Sequence, residues 1–327
     1  SRGLGDVYKR QPYKYEKNLS INEKLEYYKR LREYCYRLSE TKKQEMPKGQ
    51  QLISRFYMNN FYNEKLHIVG EGNIPLDKPV IFVCNHSNSH DVFSMYIALK
   101  KLGIATSVMV ATDCLNIFST TLFAAADATL LDRRDKVSSN NSIFELASKI
   151  IAGKTGVIFG EATWNLHPIK LMHDIKLGAS KIACLTDAVI VPTILEYIEI
   201  PELFEHESSL YDRVIVEFGV PQTITLNQDL SLQTQLLQKT MEKMRKKIWN
   251  DNGVIRNNLY DIDINNYLNH TYLKKYGVFG FKYDSNSEAK FLRGSNDGPV
   301  ENEFCVNENN EFVPGITLKK KKNLKYI

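Results

Sequence analysis

Between residues 79 and 218 the chain alternates short apolar, β-branched runs with longer helical patterns. That alternation limits the possible folds more than any other feature of the sequence. The runs Pro79–Cys84, Thr106–Ala111, Ala128–Asp132, Gly156–Gly160, Val189–Leu195 and Arg213–Phe218 read as strands. Helical patterns fall between them at Val92–Lys101, Leu115–Ala125, Ser139–Ala152 and Ile175–Thr186. Strands that are apolar on both faces and separated by helices predict an α/β sheet covered on both sides.

The ends follow different rules. Residues Ser20–Ser39 read as a helix, capped by Ser20 or Asn22 with Glu23 and Glu26 in its first turn. Leu25, Tyr28, Leu31, Cys35 and Leu38 form its apolar stripe, while Lys29, Arg30, Arg32 and Arg37 crowd the other faces. A helix packed on the domain is favoured slightly over one lying on anionic lipid. After Pro221 a helix is expected over Leu230–Trp249, with Leu232, Leu236, Met244 and Ile248 on one side. Beyond it, residues 250–327 read as an irregular C-terminal extension. The opening SRGLGDVYKRQ has neither period and is read as a non-native scar. The expected layout is therefore 1–11 scar, 12–65 helical N-terminal segment, 66–228 core, and 229–327 helix plus extension.

Charge narrows the function classes. The 327 residues carry a formal +5, distributed unevenly. Residues 1–60 hold 14 basic and 7 acidic side chains, and residues 317–327 hold five Lys and no acid. The middle of the chain is left with 24 basic and 31 acidic residues, so a nucleic-acid-binding core is not expected. Five scattered cysteines, Cys35, Cys84, Cys114, Cys184 and Cys305, have no zinc spacing and suit a reducing compartment. The first residues lack an apolar signal-peptide core, and the stretch Ile117–Leu131 is too short and too polar to span a bilayer.

Four short blocks carry the candidate chemistry. In Asn85-His86-Ser87-Asn88-Ser89-His90-Asp91, a strand-to-helix turn brings Asp91 within reach of one imidazole nitrogen of His86. Asp91 would fix the tautomer, leaving the other nitrogen as a base for a substrate hydroxyl. Taken alone, the block reads better as capping residues around an incidental His. Asp132-Arg133-Arg134-Asp135 could clamp a phosphate, but taken alone it reads better as a surface ion-pair cluster. In Phe159-Gly160-Glu161-Ala162-Thr163-Trp164, an acid leaves a buried strand beside a hydroxyl: Glu161 would orient a substrate or a basic side chain, and Thr163 would contact a phosphate or an acyl carbonyl. Pro192 inside Val189–Thr193 marks an edge, a bulge or a cleft wall. His90, His167 and His173 fit no ligand spacing, so no metal is expected. GxxxxGK[ST], GxSxG and HExxH are all missing.

Together the blocks resemble the glycerolipid acyltransferase family, the lysophosphatidic-acid-type enzymes. Asn85, His86 and Asp91 match its Asn-His-x4-Asp; Leu130, Leu131, Asp132 and Arg133 match its Asp-Arg block. Phe159, Glu161 and Thr163 match Phe-Pro-Glu-Gly-Thr-Arg, and Val191-Pro192 matches its Val-Pro strand. Lys176-Leu177-Gly178-Ala179 and Gly219-Val220-Pro221 resemble its later motifs, so the likeness covers about residues 70–225. It departs at Gly160, Ala162 and Trp164, which stand where the family has Pro, Gly and Arg.

The resemblance implies a mixed, mostly parallel sheet flanked by helices. It also implies an O-acyltransferase in which His86 is the base and Asp91 orients it. Arg133, with Arg134, would hold an acceptor phosphate; Asn85, Glu161, Thr163 and Trp164 would complete the substrate site. The co-substrate would be an acyl-CoA or acyl-carrier-protein thioester, with no other cofactor. The acceptor implied is a lysophospholipid such as lysophosphatidate. Trp164 in place of a phosphate-binding Arg opens a second acceptor class, a glycan or cell-envelope polyol phosphate. A third reading is a non-catalytic lipid- or partner-binding protein of the same fold, against which the intact His86/Asp91 pair argues. A cytoplasmic enzyme is expected, held at the inner membrane face by its basic ends. The Lys-, Asn-, Ile- and Tyr-rich composition suits a bacterial, AT-rich genome.

Overall fold

The computed structural model describes residues 19–39, 65–87, 90–112, 123–124, 126–132, 136–165, 170–198, 213–254, 304–306 and 312–314. Helix α1 covers Ile21–Ser39. Strand β1 (Leu66–Val69) follows, then a 3-10 turn at Glu71–Asn73, strand β2 (Val80–Cys84), helix α2 (Asp91–Lys101), and strands β3 (Thr106–Ala111) and β4 (Thr129–Leu131). Next come α3 (Lys136–Ile151), β5 (Thr155–Phe159), α4 (Gly178–Thr186), β6 (Val189–Ile198), β7 (Arg213–Phe218), β8 (Gln222–Thr223) and α5 (Leu230–Asp251). A separate hairpin pairs β9 (Phe304–Val306) with β10 (Phe312–Pro314), antiparallel.

The main sheet has the order β1-β7-β6-β2-β5-β3-β4, with β8 added along β6. Strands β2 to β6 are mutually parallel, whereas β7 and β8 run antiparallel to β6 and β1 runs parallel to β7. This is the mixed, mostly parallel sheet expected. Residues of one strand face opposite layers in turn. Val80, Phe82 and Cys84 of β2 join α2 in one cluster. Ile81 and Val83 join α1, α3, α4 and α5 in the other. Both faces are covered by helices, which is why the strands read as continuous apolar runs.

Helix α1 is packed on the domain. Ser20 and Glu23 cap its start, Ser20 N–H donating to the Glu23 carboxylate at 2.8 Å. Tyr28, Leu31 and Cys35 of its stripe are buried, and Arg32 donates to the carbonyls of Cys184 and Leu185 at the end of α4. A guanidinium there satisfies carbonyls that the helix leaves open.

Helix α5 departs from the expected apolar side. Leu232 and Leu236 are 55% and 52% exposed. Of the expected side, Ile248 is buried and Met244 packs against the core; Leu237 and Met241 are buried with them, together with the polar Gln233, Gln238, Glu242 and Arg245. Gln233, Gln238 and Arg245 bind loop backbone, and Gln238 donates to Glu242, contacts that hydrophobic periodicity does not register. Hence α1 and α5, both outside the segment 66–228, contribute to the same core.

Pro192 does not lie at an edge. Strand β6 runs through the interior of the sheet and every residue in it is buried. Pro192 stands between Val189–Ile190, which pair with β8, and Thr193–Ile198, which pair with β7. At this gap no ladder partner needs its missing N–H, while its carbonyl accepts from Gly219 at 2.7 Å.

Candidate active site

Strands β2 and β5 are neighbours in the middle of the sheet, in register from Ile81 opposite Gly156 to Cys84 opposite Phe159. Both therefore end at the same level, and the chain leaves each in a tight turn. The first turn carries His86 and the second Glu161. The carboxyl ends of parallel strands are where α/β sheets open their ligand crevices.

The His86 imidazole and the Asp91 carboxylate are in contact. His86 Nδ1 lies 2.8 Å from Asp91 Oδ2, and the same oxygen accepts the Ser87 N–H at 2.8 Å. The Asp91 side chain is fully buried and that of His86 is 16% exposed. In neutral His86 the Nδ1 proton then faces the carboxylate, and Nε2 carries the lone pair. Asp91 opens α2 but spends this oxygen on the preceding turn, so the pair is more than a helix cap. Burial lowers the pKa of the adjacent His90 and favours its neutral form; Asp91 opposes that shift.

Asn85 and Glu161 both engage protein backbone. Asn85 is fully buried; its Oδ1 accepts the Leu195 N–H at 2.7 Å and its Nδ2 donates to the Leu195 carbonyl at 2.9 Å. It thus continues the β2–β6 ladder past the end of β2 through the Leu195 backbone. Glu161, 1% exposed, accepts the His86 N–H on Oε1 at 2.7 Å and the His173 N–H on Oε2 at 2.6 Å. Burial raises its pKa to about 7, opposed by these two N–H donors, Arg245 and Lys170. It joins the His86 turn to residues 170–175.

Segment 170–175 is in turn held by α5. Arg245 donates to Glu196 Oε2 at 2.7 Å and to the Leu171 carbonyl at 2.6 Å, and lies over the Trp249 ring. Gln238 accepts the Ile175 N–H at 3.1 Å. Lys170 Nζ lies 2.7 Å from His173 Nδ1, and the Lys170 carbonyl accepts from Asn165. None of these supports was singled out from the sequence. Arg245 and Gln238 carry no local motif, and only their buried places on an otherwise amphipathic helix reveal them.

The remaining predicted residues divide. Thr163 Oγ1 is buried with no hydrogen-bond partner among the described residues. Trp164 is half-buried, its ring centroid 5.7 Å from that of His86 and nearly perpendicular to it. Phe159, matched in its block without a role, stacks on the His86 ring at 4.3 Å. Gly160 is enclosed: a Cβ there would lie 3.0 Å from Val83 and 3.1 Å from Ile175. Ala162 holds a left-handed φ of 55°. Arg133, Arg134, Cys114, His167, most of the Leu115–Ala125 helix, residues 1–11 and the basic tail lie outside the described residues. Among the described residues, no helix is long and apolar enough to cross a membrane.

Comparison with known proteins bears on the same region. Residues 65–196 match the family model described as Acyltransferase. Among solved structures the chain is similar to the crystal structure of the 1-acyl-sn-glycerophosphate (LPA) acyltransferase PlsC from Thermotoga maritima. The two are 15% identical over 61% of this chain and 79% of that one, with a TM-score of 0.46. No curated protein gives a significant match. The matched residues span both strand ends and the His86–Asp91 pair, so this part of the chain is similar to the acyltransferase family.

Proposed function

We propose that the chain moves a fatty acyl group from a thioester donor, an acyl-CoA or acyl-carrier protein, to a hydroxyl of a lysophosphatidate-like lysophospholipid. The observation that carries this reading is the His86 Nδ1–Asp91 Oδ2 contact of 2.8 Å beside a 16% exposed imidazole. His86 Nε2 takes the acceptor hydroxyl proton as the oxygen attacks the thioester carbonyl. The O–C bond forms, the C–S bond breaks, and the proton passes from His86 to the departing thiolate. Asp91 balances the imidazolium formed on the way. The buried hydroxyl of Thr163 has no hydrogen-bond partner among the described residues, so its donor is suited to a carbonyl or phosphate oxygen. Arg133 and Arg134 are assigned to the acceptor phosphate on the family resemblance.

A second acceptor class, a glycan or polyol phosphate, is favoured by one observation. The indole of Trp164 stands 5.7 Å from the His86 ring and offers one N–H and a large apolar face where the family resemblance expects a guanidinium. A panel of acceptors with radiolabelled acyl donor and a thiol-release readout tests both classes. Folded His86→Ala should lose acyl transfer by 10²-fold or more, on the order of the 10²–10⁴ of positioned acid–base catalysis, and Asp91→Asn should be severely impaired. Full activity in His86→Ala would end the assignment. Efficient turnover of lysophosphatidate by the native chain would remove the motive for the second class.

A further inference from the structure

Two aromatic rings enclose the base. Phe159, the last residue of β5, is paired in register with Cys84, and both side chains belong to the same core layer. The His86 imidazole stacks on the buried Phe159 ring, with centroids 4.3 Å apart and planes 28° apart. Trp164 meets the imidazole at 79° and 5.7 Å. The Asn165 N–H, next along the chain, donates to the His86 carbonyl, so the segment carrying the indole is fastened to the residue it flanks.

Stacking does more than restrict rotation. The face of a benzene ring is electronegative and attracts a cation more than a neutral ring. The imidazole becomes a cation only after it has taken the acceptor proton. We propose that Phe159 and Trp164 form an aromatic clamp in which Phe159 holds His86 in register with Asp91 and stabilises its protonated form. The proposal rests on the reading of His86 as the base. Asp91 on α2 acts on the same ring at Nδ1, Glu161 at the end of β5 acts on the His86 N–H, and His90 and Cys84 are the other titratable neighbours along the chain. The clamp adds to these a contact from a ring without charge. Phe159 and Trp164 are therefore positioning residues.

The test uses the full chain with isotope-labelled histidine and follows the His86 ring resonances through a pH titration, with the signal assigned by its loss in His86→Ala. Phe159→Leu keeps apolar bulk and removes the aromatic face. It should lower the His86 titration midpoint by about 0.5–1 pH unit, while Phe159→Tyr leaves it near the native value. In the thiol-release assay Phe159→Leu should lose about three- to tenfold in kcat with KM nearly unchanged, and Phe159→Tyr should recover it. If Phe159→Leu does not fold, Phe159→Met is read the same way. An unmoved midpoint in the non-aromatic variant, or an equal loss in Phe159→Tyr, overturns the clamp. The resonance titration needs no turnover. A chain whose His86→Ala variant stays active while Phe159→Leu still moves the midpoint would refute the catalytic reading and leave the clamp standing.

Discussion

Replacing Glu161 by Gln isolates the device that holds the base in place. The native carboxylate accepts two backbone N–H groups, from His86 and His173, at a site with 1% exposure. A Gln side chain has one acceptor oxygen and an NH₂ that would face the second N–H. One charge-assisted bond, about 1.5–3 kcal/mol, is lost and a buried donor is left unmatched. The turn relieves this by shifting, and a shift of about 1 Å at a catalytic group costs up to 10²-fold in rate. Expected at pH 8 is a 10- to 100-fold fall in kcat with a smaller change in KM.

Stability behaves differently, because burial raises the Glu161 pKa from 4.5 to about 7. A carboxyl with a raised folded pKa contributes stability that is complete below the unfolded value and lost as pH rises through the folded value. The shift of about 2.5 units corresponds to roughly 3 kcal/mol, lost by the native chain between about pH 4.5 and 7. The Glu161→Gln variant has no such loss. Glu242, also raised to about 7 by burial, titrates in both proteins and cancels in the difference. Urea unfolding of the two chains at pH 5, 6, 7 and 8 should therefore show the variant gaining on the native protein by about 3 kcal/mol while its turnover at pH 8 is crippled. A difference independent of pH, or native kcat in the variant, would refute the reasoning.

Other perturbations read other parts of the structure. Ala162→Gly removes a left-handed φ of 55° from a residue with a Cβ; a strain of about 1–2 kcal/mol less the entropy of a new glycine should leave the variant about 0.5–1 kcal/mol more stable by urea unfolding. Arg245→Met strands the buried Glu196 and frees the Leu171 carbonyl. Breaking such a pair should cost about 3–5 kcal/mol, and hydrogen exchange should show residues 170–175 loosening with it. The basic residues of the two ends should hold the chain on anionic vesicles at about 1 kcal/mol per side chain near the surface; pelleting should be complete at low salt and lost at high salt, and salt-insensitive binding would count against it.

Much of the fold was legible locally. The runs at Thr106–Ala111 and Arg213–Phe218 match β3 and β7 residue for residue, and the other four expected strands lie within three residues of the observed bounds. Buried parallel strands have no polar face to blur their pattern. Strand β1 was missed: with four residues and only Leu66 buried, it has no period to detect. The His86–Asp91 pair was legible because its geometry is made within one turn of chain. Asn85 and Glu161 were recognised as residues of the site, yet their partners Leu195 and His173 lie on other elements, so substrate contact was the natural reading.

Helix α5 shows where sequence reasoning stops. Leu232 and Leu236 have the spacing of a buried pair and remain exposed; Arg245, Gln238 and Glu242 look like surface and are buried. Hydrophobicity and turn chemistry are properties of neighbouring residues, so the order of strands and helices and the His86–Asp91 contact were determined by the sequence itself. Which strand ends became adjacent, which ring stacked on the base and which polar groups went inside were decided only by tertiary packing. A buried carboxylate or guanidinium is tolerable only where backbone donors and acceptors from distant segments converge on it, and that convergence exists only once the chain has folded.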